Sequence, residues 1–295
     1  MRIGILIFSE PDQEKSTCVG RLEESALARD HEVVRLYEPF LCFLQTENGI
    51  EITHRGTILP PLDIILCRPN FIEEPSLHIH TTALLRMAGY KLVNGNASIA
   101  IAKNKLAQFT AINNAGIAMP RTAIIKSKQQ ARRTAEQIGY PVIVKVAFGT
   151  HGKGVFYATD PKTLAPIVDY LTIRDQNPVL LQRFIEEAGG KDLRVFVVNQ
   201  KIIASMELVA GKDDVRANAI GGTCQTVALT QEEIDLSLKI ANLFHLEICG
   251  IDLIRSNNGP LFLEINANPG FETLEKTTGV DVANSIIEYL EHIKK

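Results

Sequence analysis

Residues 250–270 hold the arrangement that most restricts how this chain can fold. Two largely apolar runs, Gly250-Ile251-Asp252-Leu253 and Leu263-Glu264-Ile265-Asn266, flank Asn257-Asn258-Gly259. That triplet reads as a three-residue hairpin loop with glycine where positive φ is favoured. It pairs Ser256 with Pro260 and, further back along both strands, Asp252 with Glu264. Asn266 then projects from the same face, roughly 7 Å along the strand. Like charges directly opposite across a ladder are destabilising. At about 5 Å and an effective dielectric of about 20 the repulsion is roughly 3 kcal/mol. A hard cation offsets such a pair, and two carboxylates with an amide carbonyl suit Mg²⁺ or Mn²⁺ rather than Zn²⁺. The alternatives are a protonated acid or a register displaced by one residue.

Length and composition set the frame for that hairpin. A chain of 295 residues, 45% hydrophobic and 22% charged, is long enough for two or three subdomains. The formal charge of −3 leaves no footprint for general binding to nucleic acid or membranes. Cys18, Cys42, Cys67, Cys224 and Cys249 are odd in number, scattered and without a CxxC pair. Reduced thiols in a cytoplasmic protein are therefore expected, with no disulfide framework or zinc site. The apolar run Ile3–Phe8 is too short for a signal-peptide core, and no segment reads as a membrane span.

Residues 1–95 alternate strand and helix signals, as an open α/β sheet requires. Strands are expected at Arg2–Phe8, Glu32–Tyr37, Asp63–Cys67 and Lys91–Asn94, with helices over 18–30 and 76–88. Ser9–Lys15 has no glycine, so the dinucleotide-binding fingerprint is missing and a scaffold or substrate surface is expected here. Asn96-Ala97-Ser98 offers caps for one helical run to about Asn114, bearing Lys103 and Lys105. A small unit follows: strand Thr122–Lys126, helix Lys128–Ile138, strands Val142–Ala147 and Val155–Ala158, helix Pro161–Leu171 and strand Val179–Phe184.

Between two of those strands lies Phe148-Gly149-Thr150-His151-Gly152-Lys153-Gly154. Its glycines make a loop whose bare N–H groups can approach phosphate closely. It is not a Walker A loop, because Ala147 and Gly154 stand where the first Gly and the Ser or Thr belong. In the strand before it, Lys145 interrupts an apolar run, and a buried lysine needs an anionic partner unless it snorkels to water. Asp192 and Arg194 share one face of the next strand, which reads equally as a structural ion pair or a functional one. Polar Val215-Arg216-Ala217-Asn218 runs into Gly221-Gly222, and a helix begins at Thr230, boxed by Glu233. His151, His78 and His80 are better explained as loop and helix-start residues than as ligands.

Taken in order, these pieces resemble the ATP-grasp superfamily. Ala102–Leu106, Gly149–Val155, Lys191–Arg194, Gly250–Leu253, Gly259–Gly270 and the run Leu274–Asp281 further resemble RimK-type α-L-glutamate ligases, over essentially the whole chain. The resemblance implies an α/β fold (α+β in its ATP-grasp part): a pre-ATP-grasp domain over 1–95, a lid subdomain with its preceding helix over 96–182, and a metal-binding subdomain over 183–295. It implies that Lys105 and Lys145 contact the ATP phosphates, under a loop containing Gly149, Gly152 and Gly154. Backbone groups at Arg183-Phe184 hold the adenine edge, and Asp192 helps place the nucleotide. Arg216 and Asn218 reach phosphates and the acceptor carboxylate, with Arg216 and Lys145 as the catalytic cations. Asp252, Glu264 and Asn266 hold two Mg²⁺ (or Mn²⁺). Many relatives carry Gln-Glu-Tyr/Phe where this chain has Gln182-Arg183-Phe184.

The implied chemistry is a carboxylate–amine ligation: a carboxylate takes the γ-phosphoryl group, then an amine displaces phosphate from the acylphosphate. Such a reaction needs positioning and charge neutralisation rather than a covalent nucleophile. The implied substrates are ATP, L-glutamate and an acceptor carboxylate, such as a ribosomal protein C-terminus, in a homo-oligomer. Arg68–His80 departs from the ribosomal pattern, so a small-molecule acceptor is the enzyme-class alternative. A non-catalytic ATP sensor is the alternative of another class, disfavoured by the intact Asp252, Glu264 and Asn266.

Overall fold

A computed structural model describes residues 1–294 apart from 14–16, 72–73, 148–153, 175–177, 213 and 215–221. The chain opens with β1 (Arg2–Ile7), α1 (Cys18–Leu27) and β2 (Glu32–Tyr37), as the alternation predicted. An antiparallel meander that the sequence reading did not anticipate then intervenes: β3 (Leu41–Thr46), β4 (Gly49–His54) and β5 (Thr57–Ile58). β6 (Ile64–Arg68), α2 (Ile79–Met87) and β7 (Leu92–Val93) complete a parallel sheet of order β2-β1-β6-β7. Its central strands are buried on both faces, which is why β1 reads as a continuous apolar run. Ile3, Ile5, Ile7, Ile64 and Leu66 enter one core with α1. Leu6, Phe8, Ile65 and Cys67 enter a second core on the opposite face.

The predicted single helix to Asn114 is two: α3 (Asn96–Ala102) and α4 (Lys105–Asn114). Asn104 breaks the run, because its extended backbone lets the side-chain oxygen accept from the N–H groups of Leu106 and Ala107. The cap of α3 is Gly95 rather than the Asn96–Ser98 stretch. A second sheet, order β10-β9-β11-β8, follows from β8 (Thr122–Ile125), α5 (Lys128–Ile138), β9 (Val142–Val146), β10 (Val155–Ala158), α6 (Pro161–Arg174) and β11 (Val179–Arg183). Gly154 turns into β10 with φ +82, and a Cβ there would lie 2.4 Å from Val146 Cγ2, so glycine is required.

The third unit contains β12 (Lys191–Val198), β13 (Lys201–Val209), β14 (Thr223–Thr226), α7 (Gln231–Leu243), β15 (Ile248–Ser256), β16 (Gly259–Asn266), α8 (Glu272–Thr278) and α9 (Val282–Lys294). Its antiparallel sheet runs β14-β13-β12-β15-β16. The Thr230–Glu233 capping box opens α7 as read from the sequence. Leu193, Val195, Val197, Ile251 and Ile265 face a core with α4 and α7. Phe196, Val198, Met206 and Leu208 face the other way, into the core shared with β1 and α1. By strand alternation Asp192 and Arg194 lie on that second face.

Candidate active site

The hairpin loop is one residue tighter than predicted: Ser256 pairs with Gly259 and Arg255 with Pro260. A bulge between Asp252 and Leu253 then restores the predicted partnership of Asp252 with Glu264, leaving Gly250 opposite Asn266. β12 contributes the other neighbour, Arg194, which is directly opposite Asp252. Glycine at 250 leaves room for Pro269, whose Cβ would sit 2.8 Å from a Cβ there.

The acids are compensated by side chains of the chain itself, an offset the sequence reading assigned to a cation alone. Arg194 forks onto Asp252, with Nε–Oδ1 2.5 Å and Nη2–Oδ2 2.8 Å. It therefore pairs across the sheet with Asp252, and not along its own strand with Asp192. Lys105, at the first turn of α4, places Nζ 2.8 Å from Glu264 Oε1. Its own N–H donates to Ala147 O, tying α4 to the end of β9. Lys145 is buried in mid-strand, 5.8 Å from the Phe109 ring centroid, so the snorkelling alternative is excluded.

These groups act on one another electrically. Burial pushes Lys145 down to about 8, with Lys105 adding to the fall and Glu264 opposing it. Burial and the Asp252 charge push Asp192 up to about 7, against Lys145 and Arg194. Burial would raise Glu264, but Lys105, Lys145 and Arg194 outweigh it and hold the carboxyl low. Arg194 is raised because Asp252 overcomes the burial penalty. Three cations and three acids thus converge from α4, β9, β12, β15 and β16.

Gln108, one turn beyond Lys105, escaped the sequence reading because a helical glutamine ordinarily reads as solvated. Its buried amide donates to Ile265 O (3.0 Å) and accepts from Ile265 N–H (3.1 Å), while also donating to Ala102 O (2.6 Å). It fixes the residue between Glu264 and Asn266. Arg183 and Phe184 use their N–H groups on the carbonyls of Arg121 and Pro141, so those donors are engaged within the protein. Gly149, Gly152, Arg216 and Asn218 lie outside the described residues. A separate open hollow of about 610 Å³ is lined by Pro11, Thr17, Arg21, Arg35 and Tyr37. Its arginines already pair with Glu24, Glu275 and Glu23, so its chemistry is weaker than that of the cluster.

The family model of the RimK-like ATP-grasp domain matches residues 102–290. The chain belongs to the RimK-like ATP-grasp family. It is accordingly an ATP-dependent, ADP-forming ligase of a family that uses Mg²⁺. A relative from Maridesulfovibrio salexigens, named probable alpha-L-glutamate ligase, is 36% identical over 99% of this chain and 95% of its own. The ribosomal protein bS6--L-glutamate ligase of Shigella boydii is 33% identical over 92% and 90%. Among solved structures, the RimK domain ATP-grasp protein of Sphaerobacter thermophilus superposes with TM-score 0.74 at 20% identity, covering 99% of this chain and 100% of that one. The ATP-grasp ligase PsnB, complexed with a phosphomimetic variant of minimal precursor, Mg and ADP, gives 0.77 at 19% identity over 99% and 98%. At these identities both structures bear on the fold.

For this RimK-like chain the donor set suits Mg²⁺. Each Asp252 oxygen accepts one bond from Arg194, and a carboxylate oxygen has a further lone pair. Glu264 keeps 36% of its side-chain surface open, although protein surrounds it on most sides. Nearby, Asn268 Oδ1 is buried with no partner among the described residues. Asn266 Oδ1 accepts only from the Asn268 N–H, 2.9 Å away, among the described residues. All these atoms are oxygens, the donors a hard cation selects.

Proposed function

We propose that this ligase joins L-glutamate to the C-terminal carboxylate of a protein acceptor, of the ribosomal class, through an acylphosphate. The reading is supported by the names of relatives at 33–36% identity across nearly the whole chain. The observation that carries it is the convergence of Lys105, Lys145 and Arg194 on Asp192, Asp252 and Glu264. Residues 1–95 serve as the pre-ATP-grasp domain, 96–182 as the lid with its preceding helix, and 183–295 as the metal-binding subdomain of a cytoplasmic homo-oligomer.

In this reading Lys105 exchanges Glu264 for phosphate oxygens when ATP enters, and the buried Lys145 gains phosphate oxygens beside it. Arg194 holds Asp252 in place, and Gln108 holds the backbone between Glu264 and Asn266. Asp252, Glu264 and Asn266 would hold two divalent ions, which supply neutralisation of charge on the β- and γ-phosphates. Gly149, Gly152 and Gly154 let the loop approach the triphosphate and exclude water that would hydrolyse the acylphosphate. The carbonyl side of Arg183-Phe184 meets the adenine amino group, and Asp192 steadies the nucleotide. Arg216 and Asn218 serve the phosphates and the acceptor carboxylate, with Arg216 joining Lys145 in stabilising charge during transfer.

The test is ADP and phosphate release from ATP with L-glutamate and candidate acceptors, read together with acceptor mass. An increment of one or more glutamyl residues on a ribosomal-protein C-terminus is expected; the same increment only on a small molecule would move the acceptor class. Glu264→Gln should abolish turnover, since it removes a charge that Lys105 and the cation both use. Unchanged turnover would overturn the metal assignment.

A further inference from the structure

Arg68 ends β6 at the carboxyl edge of the parallel sheet, beside Ile7. Open α/β sheets collect ligands at that edge. The side chain is 4% exposed. Among the described residues its polar contact is one bond from Nη2 to Pro269 O (3.2 Å), and its guanidinium lies 5.7 Å over the Phe271 ring. Among the described residues no carboxylate pairs with it, whereas Arg21, Arg29, Arg194 and Arg255 all meet acids. Buried arginines are ordinarily paired, because an uncompensated buried charge is costly. Burial pushes its pKa down, and only the Cys18 thiol opposes that.

Its place relative to the active site is defined by Pro269. That residue packs over Gly250, where a Cβ would also lie 3.6 Å from Arg194 Cδ. Arg68 is thus separated from the charged cluster by the thickness of one proline. Gly270, next along the chain, is exposed. An arginine fork matches a carboxylate bidentately, and one bond to a carbonyl leaves most of its donors for a ligand.

We propose that Arg68 binds a non-reacting carboxylate of a substrate, forming a subsite where the N-terminal sheet meets the Asn268–Gly270 turn. The subsite rests on the ligase reading given above. Both of its carboxylate sources are available to that reaction: glutamate carries two that do not react, and a peptide acceptor can carry its own.

The experiment compares Arg68→Gln and Arg68→Lys with the wild type, varying one substrate at a time. Arg68→Gln is expected to raise KM for one carboxylate substrate by about 10–100-fold, the span of a charge-assisted hydrogen bond. KM for Mg-ATP should stay within about twofold. Replacing the bound carboxylate by carboxamide, tried separately in glutamate and in the acceptor, should weaken the wild type comparably but not Arg68→Gln. The arm that responds identifies the source. Wild-type KM values for both substrates in Arg68→Gln, or equal losses with carboxylate and carboxamide, would overturn the subsite. Should Arg68→Gln fail to fold, Arg68→Lys and the wild-type analogue pairs decide: indifference of the wild type to every carboxamide overturns it. Titration of glutarate, which has no reacting amine, separates the subsite from the reaction. Where glutamate is the responding arm, tighter binding to wild type than to the variant supports Arg68 even where no amide forms, and equal binding overturns it; where the acceptor responds, the same comparison is made with the acceptor in the absence of ATP.

Discussion

Asp192 sits where two demands conflict. Its carboxyl is buried beside the Asp252 charge, which pushes it up to about 7, while Lys145 and Arg194 pull the other way. A carboxyl raised in the folded state keeps its proton there between about pH 4 and 7, while the unfolded chain has released it. Its contribution to stability is full below the unfolded value and is lost as pH rises through about 7. Lys145 acts in another window. Lowered to about 8, it makes stability rise between about 8 and its ordinary value near 10.5. Asp192→Asn should therefore remove a falling limb between pH 4 and 7 in the ligand-free protein. The gain at pH 8 is expected to be on the order of 4 kcal/mol, about three pKa units. Urea unfolding of both proteins across that range checks it; parallel curves would show that Asp192 does not titrate there. Most residues of the cluster were legible because each is a charge inside a largely apolar strand, whereas Lys105, read as mid-helix, was marked only by the family resemblance. Which acid each cation chooses was not, because Arg194 meets Asp252 across the sheet and Asp192 is merely its neighbour in sequence.

Elements show where local pattern suffices and where it fails. Strand periodicity and the Thr230–Glu233 box located α7, β9 and β12, since their signals are complete within a few residues. The hairpin reached the expected Asp252–Glu264 partnership by a different route, a tighter loop compensated by a bulge. A bulge has no composition of its own here, so counting from the loop could not reveal it. β3, β4 and β13 were overlooked because no motif drew attention to their alternating residues, and Asn104 reads as an ordinary helix residue until its backbone is extended. β16 is an edge strand, and its outward backbone groups at Ile265 are satisfied by the Gln108 amide instead of another strand. Gln108→Leu keeps the volume and orphans three buried backbone groups, including Ala102 O. A loss of roughly 3 kcal/mol in unfolding free energy is expected at about 1 kcal/mol per orphaned group. KM for Mg-ATP should rise as well, because Glu264 and Asn266 flank the released residue. Urea melts with ATP-dependent kinetics test this, and a stability loss without a change in KM would reduce Gln108 to a packing role.

At the scale of the molecule, the largest core is built from both ends of the chain. Ile3, Ile5, Ile7, Ile64 and Leu66 from the first sheet pack with Phe196 and Met206 and with Val282, Ala283, Ile286, Ile287 and Leu290 of α9. Arg29 adds bonds from the end of α1 to Glu291 and Asn284, and Asn94 binds the backbone of Glu247, Ile248 and Ala267. Such pairing is invisible to periodicity, which shows that a face is apolar but not what covers it. The expected division after residue 95 follows the strand pattern, yet the core on one face of that first sheet, which α1 enters, continues into the far end of the chain. Removing residues 96–295 would leave α1 alone over that face and strip the rest of the cover from a core that includes those five aliphatic side chains, each worth about 1.5–3 kcal/mol when fully buried. Their sum is comparable with the whole stability of a typical domain, about 5–15 kcal/mol. Residues 1–95 expressed alone should therefore bind a hydrophobic dye and melt without a cooperative transition. The full chain should do neither. A sharp thermal transition and no dye binding in the fragment would show that the first sheet holds its fold without α9, and that the shared core serves to fix orientation between the parts.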